Sequence, residues 1–272
     1  MNITQQSIPT ARGPMAWLEA GAGWPLILLH AFPLTADMWR PQLEQVPQGW
    51  RFIAPDLRGF GRAQSLPPKG GSQITMDDYA QDVCALMDGL KIGEAVIGGL
   101  SMGGYVAFAL HRQSPSRFTG LVLADTRSQA DTPLGRDGRA RMREVLATGG
   151  PSAVADQMLP KLLSEAARRD GAEAAHLTRA MIESNTPEAI DAAIFALMER
   201  PDSTPDLAGI SCATLVVVGE LDEITPVAEA QEMQRALPRS TLTVIPGAGH
   251  LSNLEQPASF SRALGDFLLA HL

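Results

Sequence analysis

The chain has 272 residues, of which 45% are hydrophobic and 19% are charged, a balance that fits a packed globular protein and excludes disorder or a fibrous repeat. The 22 Lys and Arg residues are outnumbered by 30 Asp and Glu, which gives a formal net charge of −8. Nucleic acid and membrane are therefore not expected as partners. No basic leader precedes an apolar run, so we expect a cytoplasmic location, and the sequence leaves the oligomeric state open.

Short apolar runs recur along the chain and predict the strands of a sheet. Most of them are continuous rather than alternating, as in parallel strands that are covered on both faces. Helical patterns separate them, and the helix from Met76 is preceded by a capping box of Thr75 and Asp78. This alternation predicts an α/β fold with a doubly wound, mostly parallel sheet, whose ligand site lies beyond the carboxyl ends of the strands. The predicted strands cover residues 15–18, 26–29, 52–54, 95–97, 121–124, 214–218 and 242–245.

No strand-like run occurs in residues 126–205, which are richer in charge than the rest of the chain. We expect this segment to form a helical lid inserted between sheet strands, with residues 1–125 and 206–272 forming the core domain. Its clearest helix begins after Thr186, an N-cap residue, with Pro187 at the first helical position.

A G-x-S-x-G motif is formed by Gly99, Ser101 and Gly103, between a predicted buried strand and a helix that begins near Met102. In such a tight turn the serine is forced into strained backbone angles, and the glycines avoid clashes that side chains would create. The serine hydroxyl is thereby exposed. We predict that Ser101 is a nucleophile.

A serine hydroxyl needs a neighbouring base, normally a histidine that a carboxylate orients. His250 follows the last predicted strand through a glycine-rich turn, so it can reach the carboxyl edge of the sheet. We predict that His250 is the general base. The remaining histidines fit this role less well and are expected to be loop, packing or surface residues; they are His30, His111, His176 and His271.

Two acidic residues that follow predicted strands could orient this histidine. Asp222 lies in the loop after the strand that ends at residue 218, and Asp125 comes directly after another strand. We favour Asp222, because the order Ser, acid, His along the chain is then that of a strand-borne triad. Asp125 remains the alternative, and Glu220 and Glu223 are expected to be solvated loop charges.

An ester-cleaving site also needs two backbone N–H donors for the oxyanion of the tetrahedral intermediate. Met102, at the start of the helix after Ser101, offers one N–H. Phe32, in the loop after the strand of residues 26–29, is well placed to offer the other. We predict that Phe32 and Met102 form the oxyanion hole.

With these motifs in this order, the chain resembles the α/β-hydrolases, and most closely the lidded esterases that include the 3-oxoadipate enol-lactonases. The resemblance implies the α/β-hydrolase fold, a triad of Ser101, Asp222 and His250, an oxyanion hole at Phe32 and Met102, and no cofactor. The matching segments are HAFP (30–33), DLRGFGR (56–62), GGLSMGG (98–104), GELDEITP (219–226) and GAGH (247–250).

The first of these segments departs from the family pattern, because Ala31 stands where relatives have glycine. If that position required a positive φ, alanine would be strained and the Phe32 donor displaced. The resemblance also suggests a cis peptide bond between Phe32 and Pro33, as in some relatives. In the second segment we interpret Asp56 and Arg58 as parts of a structural turn.

The predicted function is therefore hydrolysis of a small carboxylic ester or lactone through an acyl-enzyme. Two alternatives use the same triad, C–C bond hydrolysis and peracid formation. A third belongs to another class, a small-molecule receptor of the same fold with little turnover. Among the lid residues, Arg127, Arg136 and Arg139 could meet an anionic substrate, although solvated side chains are the expectation.

No metal and no nucleotide cofactor is predicted. The chain has no cluster of His, Cys and acidic residues at metal-ligand spacing. The segment Gly21-Ala-Gly23 lacks the third glycine of a dinucleotide site and precedes a strand, and no Walker lysine follows Gly103 or Gly104. Cys84 and Cys212 are not spaced as a C-x-x-C pair and are expected to be buried free thiols.

Overall fold

All seven predicted apolar runs lie within strands, and one further strand precedes them. The structure is a computed structural model that describes residues 2–64, 74–169 and 173–270. The strands are β1 (Thr4–Thr10), β2 (Gly13–Gly21), β3 (Trp24–Leu29), β4 (Trp50–Pro55), β5 (Ala95–Leu100), β6 (Phe118–Ala124), β7 (Ala213–Gly219) and β8 (Ser240–Ile245).

The strands form one eight-stranded sheet in the order β1-β2-β4-β3-β5-β6-β7-β8. The β1–β2 and β2–β4 pairs are antiparallel, and every pair from β4 to β8 is parallel. Every residue of β5 and β7 is buried, which explains their uninterrupted apolar sequences. The predicted doubly wound, mostly parallel sheet is confirmed.

The strand that the sequence did not predict, β1, has the polar sequence TQQSIPT and is mostly exposed. It lies at the edge of the sheet and pairs only with β2. An edge strand with both faces largely in water needs no apolar run, so its composition carries no strand signal.

The helices begin where their capping residues predict. Thr75 and Asp78 form the expected capping box of α2, and the Thr186 side chain accepts a hydrogen bond from the Ala189 N–H at the start of α7. The helices are α1 (Arg40–Leu43), α2 (Met76–Gly89), α3 (Met102–Gln113), α4 (Pro133–Leu162), α5 (Glu165–Arg168), α6 (Glu173–Glu183), α7 (Pro187–Met198), α8 (Val227–Ala236), α9 (Ser252–Glu255) and α10 (Pro257–Leu269).

Helix α3 packs against β3, β5 and β6, while α8 and α10 pack against β7 and β8. Helices α4 to α7 all lie between β6 and β7 in the chain, and α4 packs against both α6 and α7. Helix α4 is broken at Gly150, which has a φ of 66° and is followed by Pro151. We call residues 126–205 the helical insertion; its described residues contain no strand.

None of the helices in the described ranges combines the length and the hydropathy that crossing a bilayer requires.

Candidate active site

Ser101 occupies the turn between β5 and α3. Its φ of 53° and ψ of −112° place it in the strained backbone region that the motif predicts. Its backbone N–H donates to the Ala124 carbonyl across to β6 (2.9 Å), and its carbonyl accepts from the Thr126 hydroxyl (2.8 Å). These bonds fix the turn, while the side chain is partly exposed.

The two glycines that flank Ser101 are required by close backbone contacts. A Cβ on Gly99 would lie 2.2 Å from the Gly103 carbonyl carbon, and a Cβ on Gly103 would lie 2.2 Å from the Leu29 carbonyl oxygen. Any side chain at either position would push the turn open. The glycine spacing of the motif therefore reflects how tightly α3 starts against β3 and β5.

Asp222 and His250, the predicted acid and base, are brought together. His250 Nδ1 lies 2.8 Å from Asp222 Oδ2, and both side chains are almost fully buried. A carboxylate can only accept, so Nδ1 carries the hydrogen and Nε2 is left as an acceptor. The Ser101 hydroxyl has no hydrogen bond to any described residue, so the Ser101–His250 bond is not formed here; in free enzymes such contacts often tighten only with substrate.

The Asp222 carboxylate is held by four hydrogen bonds. Oδ1 accepts from the backbone N–H groups of Ile224 (2.8 Å) and Thr225 (3.0 Å), and Oδ2 accepts from the Thr225 hydroxyl (2.6 Å) and His250. Burial opposes ionisation, but electrostatic attraction to His250 and these hydrogen-bond donors together hold the pKa of Asp222 below its ordinary value. The group is therefore a carboxylate at neutral pH.

Asp125, the alternative acid, does not contact His250. It is fully buried with a positive φ of 44°, its Oδ1 accepts from the Gly219 N–H (2.7 Å), and its Oδ2 lies 2.5 Å from the Ser252 hydroxyl. Burial and the neighbouring charge of Asp222 raise its pKa well above the ordinary value. Asp125 thus joins the end of β7 to the start of α9, and does not orient the imidazole.

The backbone N–H groups of Phe32 and Met102, the predicted oxyanion donors, are both free. Neither donates to an acceptor in residues 2–64, 74–169 or 173–270, although both residues are buried. Buried N–H groups without a partner are rare in proteins. Met102 directly follows Ser101, and Phe32 follows β3, the strand that pairs with β5, so these two free N–H groups can receive a negatively charged oxygen at this edge of the sheet.

The loop that carries Phe32 is fixed by His30. The Leu57 N–H donates to His30 Nε2 (3.0 Å), so Nδ1 bears the hydrogen and donates to the Ala31 carbonyl (3.0 Å). Burial lowers the pKa of His30, which keeps the ring neutral in this role. The strain considered for Ala31 is absent, because its φ is not positive, and the Phe32–Pro33 peptide bond is cis.

Asp56 and Arg58 are engaged in structural contacts, as we interpreted them. Asp56 accepts from the Ala36 N–H (2.8 Å) and from the backbone and guanidinium of Arg62 (both 3.0 Å). Arg58 binds Asp82 through two parallel hydrogen bonds of 2.5 and 2.7 Å. Neither side chain is free to act on a substrate.

Two of the three insertion arginines are only partly solvated and are held in ion pairs, which corrects the expectation of freely solvated side chains. Arg127 is half-buried, donates to the Ile224 carbonyl and pairs with Glu229 (3.2 Å), and Arg139 is half-buried against Asp131 (3.2 Å). Their acidic partners lie within reach in the fold, which a sequence pattern does not show. Arg136 is exposed, as expected, and pairs with Glu199.

The remaining predicted residues lie away from this site. His111 packs edge-on against Phe118, His176 is exposed, and His271 lies outside the described residues. Cys84 and Cys212 are free, as predicted, but half-buried rather than buried.

A cleft of about 480 Å³ lies between α4 and the loop that contains Asp222. Its lining includes four cationic and two anionic side chains, and Arg141 and Lys161 have no ion-pair partner among the described residues. Its floor is formed in part by Ile224, whose N–H holds Asp222. We call it the cationic cleft. Its lining charges are Arg127, Arg139, Arg141, Lys161, Asp131 and Glu223.

Sequence reasoning missed Thr225, Ser252 and Glu255, which hold the predicted acid and base loops in place. Thr225 lies three residues after Asp222, at a spacing typical of a side-chain-capped turn, so a local signal existed. Ser252 bonds to Asp125 and Glu255 bonds to Ser164, and both partners are distant in the chain, so no local signal exists for these two contacts. The second contact of Glu255, with Gly249, spans only six residues. In the part of the chain that the structure describes, no group of three or more His, Cys, Asp or Glu residues is arranged to hold a metal ion.

The chain is similar to known hydrolases along most of its length. The chain is 30% identical over 261 residues to the AB hydrolase superfamily protein YisY of Bacillus subtilis, covering 92% of this chain and 93% of that protein. It is 29% identical over 239 residues to 3-oxoadipate enol-lactonase 2 of Acinetobacter baylyi, covering 88% and 86%. A thermophilic esterase from Thermogutta terrifontis, solved with malate bound, superposes with a TM-score of 0.91 at 40% identity, covering 98% of this chain and 99% of the esterase.

The α/β hydrolase fold family model matches residues 25–257, which include β4 to β8 and all of β3 except its first residue, together with Ser101, Asp222 and His250. The chain therefore belongs to the α/β hydrolase fold family.

Proposed function

We propose that the protein hydrolyses small carboxylic esters or lactones through an acyl-enzyme on Ser101. The observation that carries the proposal is the 2.8 Å hydrogen bond between Asp222 and His250, at the same carboxyl edge of the parallel sheet as a serine on a strained, glycine-flanked turn. A relative that is named as an enol-lactonase and a solved structure that is described as an esterase support the same class of substrate.

In the acylation half, Ser101 Oγ attacks the carbonyl carbon while its proton passes to His250 Nε2. The carbonyl oxygen becomes an oxyanion and accepts from the free N–H groups of Phe32 and Met102. The imidazolium is stabilised by the Asp222 carboxylate. When the C–O bond breaks, the leaving alcohol takes the proton from Nε2, or stays attached to the acyl group if the substrate is a lactone.

In the deacylation half, a water molecule takes the place of the alcohol. His250 Nε2 accepts one proton from the water as its oxygen attacks the acyl carbon, and the same proton then returns to Ser101 Oγ as the acid leaves. One base therefore serves both halves, and no cofactor enters either of them.

The helical insertion, residues 126–205, is proposed as a lid over this edge of the sheet. It leaves the core after β6 and returns before β7, the two strands whose ends carry Asp125 and the Asp222 loop. A cover at this position would shield the acyl-enzyme and shape the acyl pocket.

The test is stopped-flow hydrolysis of p-nitrophenyl acetate and longer esters. The proposal predicts a burst of p-nitrophenol equal to the enzyme concentration, then steady turnover, with both lost in Ser101→Ala. His250→Ala should remove turnover, whereas His176→Ala, an exposed histidine of the insertion, should retain it.

Each failure points to a different function. Tight ligand binding without a burst would favour a receptor, and turnover that survives Ser101→Ala would reject the nucleophile. A parallel assay with diketones and with peroxide plus acetate separates C–C bond hydrolysis and peracid formation, because those reactions use the same three residues.

A further inference from the structure

We infer that Glu255 is a positioning residue that holds the His250 loop and ties it to the helical insertion. Both of its carboxylate oxygens accept backbone N–H groups, Oε1 from Gly249 (2.9 Å) and Oε2 from Ser164 (2.9 Å). Gly249 immediately precedes His250, and Ser164 lies between α4 and α5 of the insertion. The inference rests on the proposed function of His250.

The contact between these two segments is close along its length. The Leu251 N–H donates to the Leu162 carbonyl (3.1 Å), and a Cβ on Gly249 would lie 2.8 Å from the Ser164 nitrogen. The backbone on both sides of His250 is therefore bonded to, or packed on, residues 162–164 of the insertion. A shift of this segment must displace the imidazole or break these bonds.

Glu255 does not touch the imidazole, the Asp222 carboxylate or Ser101 in the described structure, so it would act only through the backbone. Other groups already fix the ring itself, through Asp222 and Thr225. Glu255 fixes the position of the backbone of the His250 loop above the sheet. A misplacement of about 1 Å at a reacting group can lower a rate by about 100-fold.

The chain offers a matched pair of substitutions on the insertion side. Ser164 has a φ of −56°, which proline adopts, and Leu163 is extended (φ −125°, ψ 143°), as a residue before proline must be. Ser164→Pro therefore fits the backbone and removes the N–H that donates to Glu255; the ring Cδ takes the place of that hydrogen, so the Glu255 carboxylate must move away from this position. Ser164→Ala keeps this N–H and loses only the hydroxyl that caps α5, which Ser164→Pro also loses.

On the other side, Glu255→Gln keeps one carbonyl oxygen and turns an NH₂ group towards one of the two N–H donors. In the Ser164→Ala background this leaves a buried N–H unpaired, so we expect kcat to fall by about tenfold with KM unchanged. In the Ser164→Pro background the NH₂ group meets no donor, so the same substitution should lower kcat by less than about twofold.

The experiment is this double-mutant cycle, measured as kcat and KM on the ester that gives the largest burst, with melting temperature recorded for all four variants. Loss confined to melting temperature, or a Glu255→Gln effect on kcat that is equal in both backgrounds, would overturn the inference. If Glu255→Gln does not fold, the ratio of kcat between Ser164→Ala and Ser164→Pro decides, and equal values reject the coupling. Turnover in Ser101→Ala would instead reject the proposed function itself.

Discussion

Replacing Asp222 with asparagine should disable the site without unfolding it, for a reason that the hydrogen bonds define. Oδ1 accepts two backbone N–H groups, from Ile224 and Thr225, so the asparagine carbonyl must stay on that side. The NH₂ group then points at His250 Nδ1 and donates to it. The imidazole is forced to carry its hydrogen on Nε2, where it can no longer accept the Ser101 proton.

An imidazole held in the wrong tautomer lowers kcat by about 10⁴-fold in triads of this type. At about 1.36 kcal/mol for each factor of ten, that is about 5.4 kcal/mol of lost transition-state stabilisation. The assay is steady-state hydrolysis of p-nitrophenyl acetate by Asp222→Asn beside Glu223→Gln, which makes the same chemical change at an exposed position in the same loop. A fall of less than tenfold in Asp222→Asn, or an equal fall in Glu223→Gln, would refute the tautomer argument.

Three further outcomes are expected. Thr225→Val removes one hydrogen-bond donor to the Asp222 carboxylate. The acidic limb of the profile of rate against pH should therefore move to higher pH, and kcat should fall by about tenfold. An unchanged pH profile would contradict this expectation. Because the pKa of Asp125 is raised in the folded protein, this group favours folding below about pH 4, and that stability is lost as the pH rises through the raised pKa. Asp125→Asn should therefore gain melting temperature over the parent between pH 4 and 8. Parallel curves of melting temperature against pH for the two proteins would contradict this. Arg141→Ala with Lys161→Ala should raise KM for carboxylate-bearing esters, but not for neutral ones; equal changes would exclude the cationic cleft from substrate binding.

Where close backbone contacts restrict a position to glycine, the sequence was sufficient to predict the turn. The glycines around Ser101 and before His250 mark turns at which a Cβ would collide with backbone atoms, and such collisions select glycine within a few residues of the functional side chain. The buried strands were equally plain, because a strand covered on both faces is apolar throughout. The strand β1 was not predicted, because it is exposed and its sequence is polar.

Contacts between distant segments could not be predicted. Asp125 and Ser252 are 127 residues apart, and Ser164 and Glu255 are 91 residues apart, so nothing local distinguishes these residues from ordinary serines and acids. The same holds for Arg127, whose partner Glu229 is supplied by α8. Choosing Asp222 over Asp125 depended on the order of the residues along the chain. In the fold, Asp125 is committed to Gly219 and Ser252.

Covalent capture shows directly whether the Ser101 hydroxyl becomes a nucleophile through His250 and Asp222. The protein is incubated with a fluorophosphonate, whose phosphorus takes the place of the ester carbonyl carbon, and the adduct is located by peptide mass mapping. We expect one adduct per chain on Ser101, formed quickly by the parent protein and slowly by Asp222→Asn. An adduct on another residue, or labelling of Ser101→Ala at the rate of the parent, would contradict it.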